Sequence, residues 1–208
     1  MLLGVVGVLA TRDKSKPVTP VADKGVPDVN PPAGDNLAWP AATRNDFALD
    51  VKISVAAAKE DANGVIRMTA GTPLEIRVTA QRDCRVAVWW IDPAGEVMRM
   101  FPNDSDTDDR LVAGRERVVP SLNGDAIVTT PTQGDGLERI YVVATTGAQP
   151  VFPPGTKKGQ FTFYSNDADR EKLVSTVRGL VLQKKKAGEP LPGDGEVSDR
   201  ERLFRVQK

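Results

Sequence analysis

The chain has 208 residues, 40% of them hydrophobic and 27% charged, and its 28 basic and 28 acidic side chains balance. That composition fits one ordinary globular domain with tails, and the absence of net positive charge argues against nucleic acid as a partner, since phosphate neutralisation needs a basic face. With no histidine and a single cysteine, Cys84, the sequence excludes Ser-His-Asp triads, Cys-His nucleophiles, His-ligated zinc, an intrachain disulfide and any cysteine-rich metal site.

Met1 to Ala10 is apolar and is followed by Arg12, Lys14 and Lys16. A spanning helix needs ~20 apolar residues, more than this run supplies, and no basic region precedes it as in a secretory signal. Two readings stay open for residues 1–16: the remnant of a hydrophobic anchor or signal that starts upstream, or an ordinary N-terminus. Residues 17–45 read as a flexible linker, with Pro17, Pro20, Pro27, Pro31, Pro32 and Pro40 set among polar residues. Such a segment buries too little apolar area to offset its ordering entropy. The expected order is a membrane tether, a spacer and a folded domain over residues 46–208.

From Phe47 the pattern has period two. Phe47, Leu49, Val51, Ile53 and Val55 alternate with polar or small residues and predict a half-buried strand. Asn63-Gly64 predicts a turn, with Val65–Thr69 as the returning strand. Leu74, Ile76 and Val78 form another one-sided strand. Val86–Ile91 is apolar on both faces, as a central strand requires. Asp92-Pro93-Ala94-Gly95 predicts a tight turn into Glu96–Phe101. Further strands are expected at Ala126–Thr130, Glu138–Thr145 and Leu203–Val206. Leu173, Val177, Leu180, Val181 and Lys184 follow helical spacing within Asp167–Lys186. Ser165, Asn166 or Asp167 is placed to cap that helix, and Lys184, Lys185 and Lys186 suit its negative end. Short strands between turn signals predict a mainly β fold: an antiparallel β-sandwich, immunoglobulin-like or similar, with one C-terminal amphipathic helix packed on it.

The acidic stretch from Asn103 to Asp109 is the one segment that suggests a metal. Asp104, Asp106 and Asp108 alternate like the opening of a calcium loop. Counting from Asp104, however, Asp109 stands at the sixth position where glycine is needed, and Arg115 stands at the twelfth where a bidentate glutamate belongs. A solvated loop is the plainer reading. Trp89 and Trp90 must face opposite sides of one strand, so one is expected in the core and the other is a candidate stacking surface. Asn103 and Arg110 complete the candidate binding residues. Cys84 at the start of an apolar strand reads as a small buried hydrophobe. Gly134-Asp135-Gly136 and Gly193-Asp194-Gly195 read as turns, because neither opens a helix as a phosphate loop does. No cofactor is expected.

The order of features from Ala70 to Pro120 resembles the bacterial domain-of-unknown-function 4384 family. The strand Leu74–Val78 leads to Trp90-Ile91-Asp92, then Pro93-Ala94-Gly95-Glu96-Val97, Met100-Phe101-Pro102-Asn103, Leu111-Val112-Ala113-Gly114 and Val119-Pro120. Met100 stands where the family usually has leucine. The later strand of the family matches Glu138–Thr145. The resemblance implies a non-catalytic accessory module, attached to enzymatic domains or tethered at the cell envelope, and it supplies no catalytic residues. The expectation is therefore a binding, scaffolding or sensor module of the bacterial cell envelope, periplasmic or otherwise extracytoplasmic. It would recognise an unknown protein partner or a small ligand through a sheet face, an edge or the loop 103–114. The alternatives are a structural subunit of a larger envelope assembly, or a carboxylate-dependent hydrolase.

Overall fold

A computed structural model describes residues 39–56, 58–121, 127–129, 136–182 and 195–207. Residues 1–38, the pair Gly134-Asp135, the run Lys184–Lys186 and the pair Gly193-Asp194 lie outside them, so expectations placed there have no structural counterpart. The strands are β1 (Leu49–Val55), β2 (Lys59–Glu60), β3 (Ile66–Thr69), β4 (Pro73–Ala80), β5 (Cys84–Ile91), β6 (Val97–Phe101), β7 (Arg110–Leu111), β8 (Arg117–Val118), β9 (Ile127–Val128), β10 (Glu138–Thr145), β11 (Thr156–Lys158), β12 (Phe161–Tyr164) and β13 (Val197–Gln207). The helix α1 (Asp167–Leu182) precedes β13. The fold is mainly β, as the alternation predicts.

Two sheets form. The smaller has the order β1-β4-β8, with β9 also on β4; the larger runs β11-β12-β6-β5-β10-β13-β3-β2, with β7 also on β5. All pairs are antiparallel except β13 with β3, which run parallel with Phe204 beside Ile66 and Arg205 beside Arg67. The Val65–Thr69 strand thus pairs with β2 and with the end of the chain, while β1 pairs with β4.

Alternation along β5 and β10 makes three layers. Val86 and Val88 of β5, with Ile140, Val142 and Ala144 of β10, face the smaller sheet and meet Leu49, Val51, Leu74, Ile76 and Val78 there. Ala87, Trp89, Tyr141 and Val143 face the other way and are covered by Leu173, Val177 and Val181 of α1. Full burial of such side chains contributes roughly 1.5–3 kcal/mol each. A bulge between Val88 and Trp89 sets Val88 opposite Phe101 and Trp89 opposite Arg99. The extra residue, Met100, lets Met100 and Phe101 enter the same core consecutively, both fully buried.

The turns follow their sequence signals. Gly95 N–H donates to Asp92 O at 3.0 Å and Gly95 has φ 83°, a left-handed geometry that glycine adopts without Cβ strain. Asp92 Oδ1 also accepts from the Glu96 amide at 2.7 Å. Asp61 Oδ1 receives the Asn63 and Val65 amides in the other turn. These bonds, Val65 foremost, together with the Arg67 guanidinium, hold its carboxyl below the usual aspartate range. Asn166 caps α1, its Oδ1 accepting from the Asp169 amide at 2.9 Å. Asp167 and Asp169 place negative charge on the first turn, where the helix dipole favours it.

The ordered domain extends upstream of Asp46 into the segment read as linker. Trp39 lies 5.7 Å from the Trp89 ring and 5.4 Å from Tyr141, edge to face with the latter. The Arg44 amide donates to Asp199 Oδ1, the Asp199 amide donates to Arg44 O, and Arg44 Nη1 donates to Val181 O at 3.0 Å, closing a terminal carbonyl of α1. Asp46 Oδ2 accepts the Val197 amide at 2.9 Å. Residues 39–46 therefore strap α1 and β13 to the sheet. Trp39→Ala should cost about 2–3 kcal/mol, read as a lower urea midpoint at unchanged m-value; an unchanged midpoint would deny the strap its structural role.

Candidate functional site

The bulged strand β6 delivers the chain into the acidic loop. Its entry is fixed by Asn103, only 5% exposed. The Asn103 side chain donates from Nδ2 to Met100 O at 2.9 Å and accepts at Oδ1 from the Ser105 and Asp106 amides at 2.9 and 2.8 Å. Asparagine is suited to this place because one amide group supplies both donor and acceptor to the backbone.

Asp106 turns inward. Its Oδ1 accepts from Arg117 Nη2 at 2.7 Å and its Oδ2 from the Ser121 amide at 2.8 Å. Arg117 also donates through Nη1 to the carbonyls of Asp108 and Arg110, at 2.6 and 2.8 Å, and its guanidinium lies 5.0 Å over the Phe101 ring. One arginine therefore ties the acidic loop to the buried end of β6 through three hydrogen bonds and a cation–π contact. Sequence reasoning missed Arg117. The available signal was a cation placed a few residues after a run of aspartates.

The remaining carboxylates face different partners. Asp104 pairs with Lys157, Asp108 with Arg110 at 2.8 Å, and Asp109 with Arg85 at 2.6 Å. The hydrogen bond from Arg110 holds the Asp108 carboxyl below its ordinary range, and Asp108 in turn raises the Arg110 guanidinium. Asp104, Asp106 and Asp108 thus point at three separate cations and do not assemble the calcium loop considered from their spacing. Among the described residues no group of three or more Cys, Asp or Glu side chains gathers to hold a metal.

The far end of the loop is fastened as well. The Ala113 amide donates to Asp83 Oδ1 at 2.7 Å, and the Gly114 amide to Ala80 O at 2.8 Å. Leu111 is buried opposite Cys84. At this end of the loop Arg110, 71% exposed, and Val112, 53% exposed, project into solvent.

The other candidates are interior. Trp89 is fully buried beneath α1, with Phe152 edge-on at 5.1 Å. Trp90 faces the sandwich, stacks edge to face on Phe204 at 5.1 Å and donates Nε1–H to the buried Glu138 Oε2 at 2.6 Å. Trp89 is thus fully buried, and Trp90 is partly buried against the sandwich core. The Cys84 thiol is pushed up to about 11 by burial and by the neighbouring Asp83 charge, so it stays protonated at neutral pH. A second buried carboxylate was not anticipated. Asp199, fully buried, receives the Tyr141 hydroxyl at 2.6 Å and the Arg44 amide at 2.7 Å. Burial, with the Asp199 carboxylate adding to it, drives the Tyr141 hydroxyl well above the ordinary phenol range and keeps it a donor.

What these residues define is a β-domain whose distinctive polar groups are used to shape turns and one loop. Residues 68–148 match the family described as "Domain of unknown function (DUF4384)", the family that the segment from Ala70 to Pro120 resembles. The match runs from β3 through β10 and takes in the bulge, the Asn103 turn and the Arg117 lattice. No curated protein and no solved structure matches the chain.

Arg117→Ala should cost about 2–3 kcal/mol, because it leaves the largely buried Asp106 carboxylate without its cation. Arg117→Lys should recover only part, since a single ammonium cannot serve three acceptors in the same fork. Hydrogen exchange at the Ser105 and Asp106 amides should accelerate in step with the stability loss. Unchanged exchange there would remove Arg117 from its place as the loop's anchor.

Proposed function

We propose that the protein is a non-catalytic recognition module of the bacterial cell envelope, presenting the Asn103–Gly114 loop to a protein partner. One observation carries the reading: the loop is pinned at Asn103, Asp106, Asp109, Ala113 and Gly114, yet holds Arg110 and Val112 out to solvent. A prefixed loop loses little entropy on binding, and an arginine beside an exposed aliphatic side chain combines a charged contact with an apolar one. The groups that might have served chemistry are occupied: Asn103 by backbone, Asp106 by Arg117, and Trp90 by Glu138. The apolar Met1–Ala10 run and the proline-rich segment after it support placement at the envelope, with the domain held away from the surface.

A photo-crosslinking residue at Val112, introduced in the native host, should yield a defined protein adduct. The same residue at Val128, 51% exposed on the edge of the smaller sheet, serves as the control. Arg110→Glu combined with Val112→Asp should lower adduct yield at least several-fold while shifting stability by no more than about 0.5 kcal/mol, as for other exposed sites. An adduct pattern identical at positions 112 and 128, or one indifferent to the double substitution, would refute the loop as the recognition surface.

A further inference from the structure

The outer face of the larger sheet is only partly covered by α1. The helix lies over the central strands, on Ala87, Trp89, Tyr141 and Val143. At the β13-β3-β2 end the register builds a row of cations. Lys59 of β2 pairs with Arg67 of β3, and Arg67 pairs with Arg205 of β13. Cross-strand partners share a face, and Ile66, Met68 and Phe204 point into the sandwich. Lys59, Arg67 and Arg205 therefore stand side by side on the outer face, about 4.8 Å apart strand to strand.

Like charges directly opposite one another are destabilising, and the neighbouring carboxylates neutralise only the middle member of this row. Asp61 pairs with Arg67 at 3.0 Å, and Glu201 pairs with Arg139 at 2.6 Å. Among the described residues no carboxylate lies within ion-pair distance of Lys59 or Arg205, and Arg205 Nε is out of contact with water without a hydrogen-bond partner. Apolar surface adjoins the cations. Leu203 and Val65, each two residues before Arg205 and Arg67 in the chain, are both half-buried, and Leu137 is 41% exposed.

We infer that this face is a second interaction surface, distinct from the Asn103–Gly114 loop, and that it takes an extended acidic segment of a protein partner. The charge excess selects carboxylates, with Lys59 and Arg205 supplying unpaired positive charge to two of them. The aliphatic residues select a segment in which acidic and apolar residues alternate, because such a strand places its acids on one side of the backbone and its apolar groups on the other. An anionic membrane fits less well, since Asp61 and Glu201 lie within the same face.

The test is a titration of the isotopically labelled full chain with an alternating Glu-Leu octapeptide, followed by amide shifts. Saturable shifts should centre on Lys59, Arg67, Leu203 and Arg205 and should weaken with salt. Lys59→Gln and Arg205→Gln should each lower affinity about threefold, and their combination about tenfold. Lys59 sits on a fully exposed two-residue strand, so its variant keeps the test valid if Arg205→Gln perturbs the sheet. An alternating Lys-Leu octapeptide should not bind. The inference is overturned if the acidic peptide leaves these amides unmoved, if folded variants bind it unchanged, or if vesicles of phosphatidylglycerol shift the same amides while the peptide does not.

Discussion

Everything in this domain depends on one antiparallel strand pair buried on both faces. β5 and β10 meet from Arg85 beside Thr145 to Ile91 beside Arg139. Their even-numbered side chains build the core against the smaller sheet, and their odd-numbered ones build the core beneath α1. Period-two geometry imposes this division, because neighbouring side chains on a strand cannot share a face. A one-residue slip would carry Trp89 and Tyr141 into the sandwich and turn Glu138 toward the helix side. Register is therefore specified twice, once by each core.

That constraint explains how the polar residues are used. Two-faced burial leaves few interior places for hydrogen-bonding groups, and the buried Glu138, Asp199 and Ser198 have dedicated partners: Glu138 with Trp90, Asp199 with Tyr141 and Arg44, and Ser198 with the Phe47 backbone. At the margin of the pair, the β6 bulge sends the chain outward at Pro102, where Asn103 and Arg117 convert an acidic stretch into a fixed loop. The segment from Val88 to Arg117 therefore builds a bulge, a turn and a lattice. The surfaces proposed for recognition are what these devices leave exposed.

The sequence is most legible where local pattern and tertiary environment agree. Alternation located β1 and β4, the apolar run located β5, and Asn63-Gly64 and Asp92–Gly95 announced turns that form as their residues dictate. Legibility fails where burial depends on a distant partner. Val197–Arg202 reads as polar chain, yet Ser198 and Asp199 are fully buried because Phe47, Arg44 and Tyr141 meet them across the fold. β11 is missed because Thr156, Lys157 and Lys158 are all exposed and carry no alternation. Trp39 sits in a proline-rich setting that suggests a spacer, and only the Trp89–Tyr141 surface gives it a place to pack. In the loop, carboxylate spacing suggested a cation site, but spacing does not encode the arginines and lysine that claim each aspartate.

Native-state hydrogen exchange tests the central claim most directly. If β5 and β10 form the pair on which both cores rest, their amides from Val86 to Trp90 and from Ile140 to Ala144 are the slowest in the protein. Their opening free energy then equals the global unfolding free energy from urea denaturation. Amides of β1 and β4 outlasting those of β5 and β10, or exchange of the β5–β10 pair well below the global value, would contradict the account.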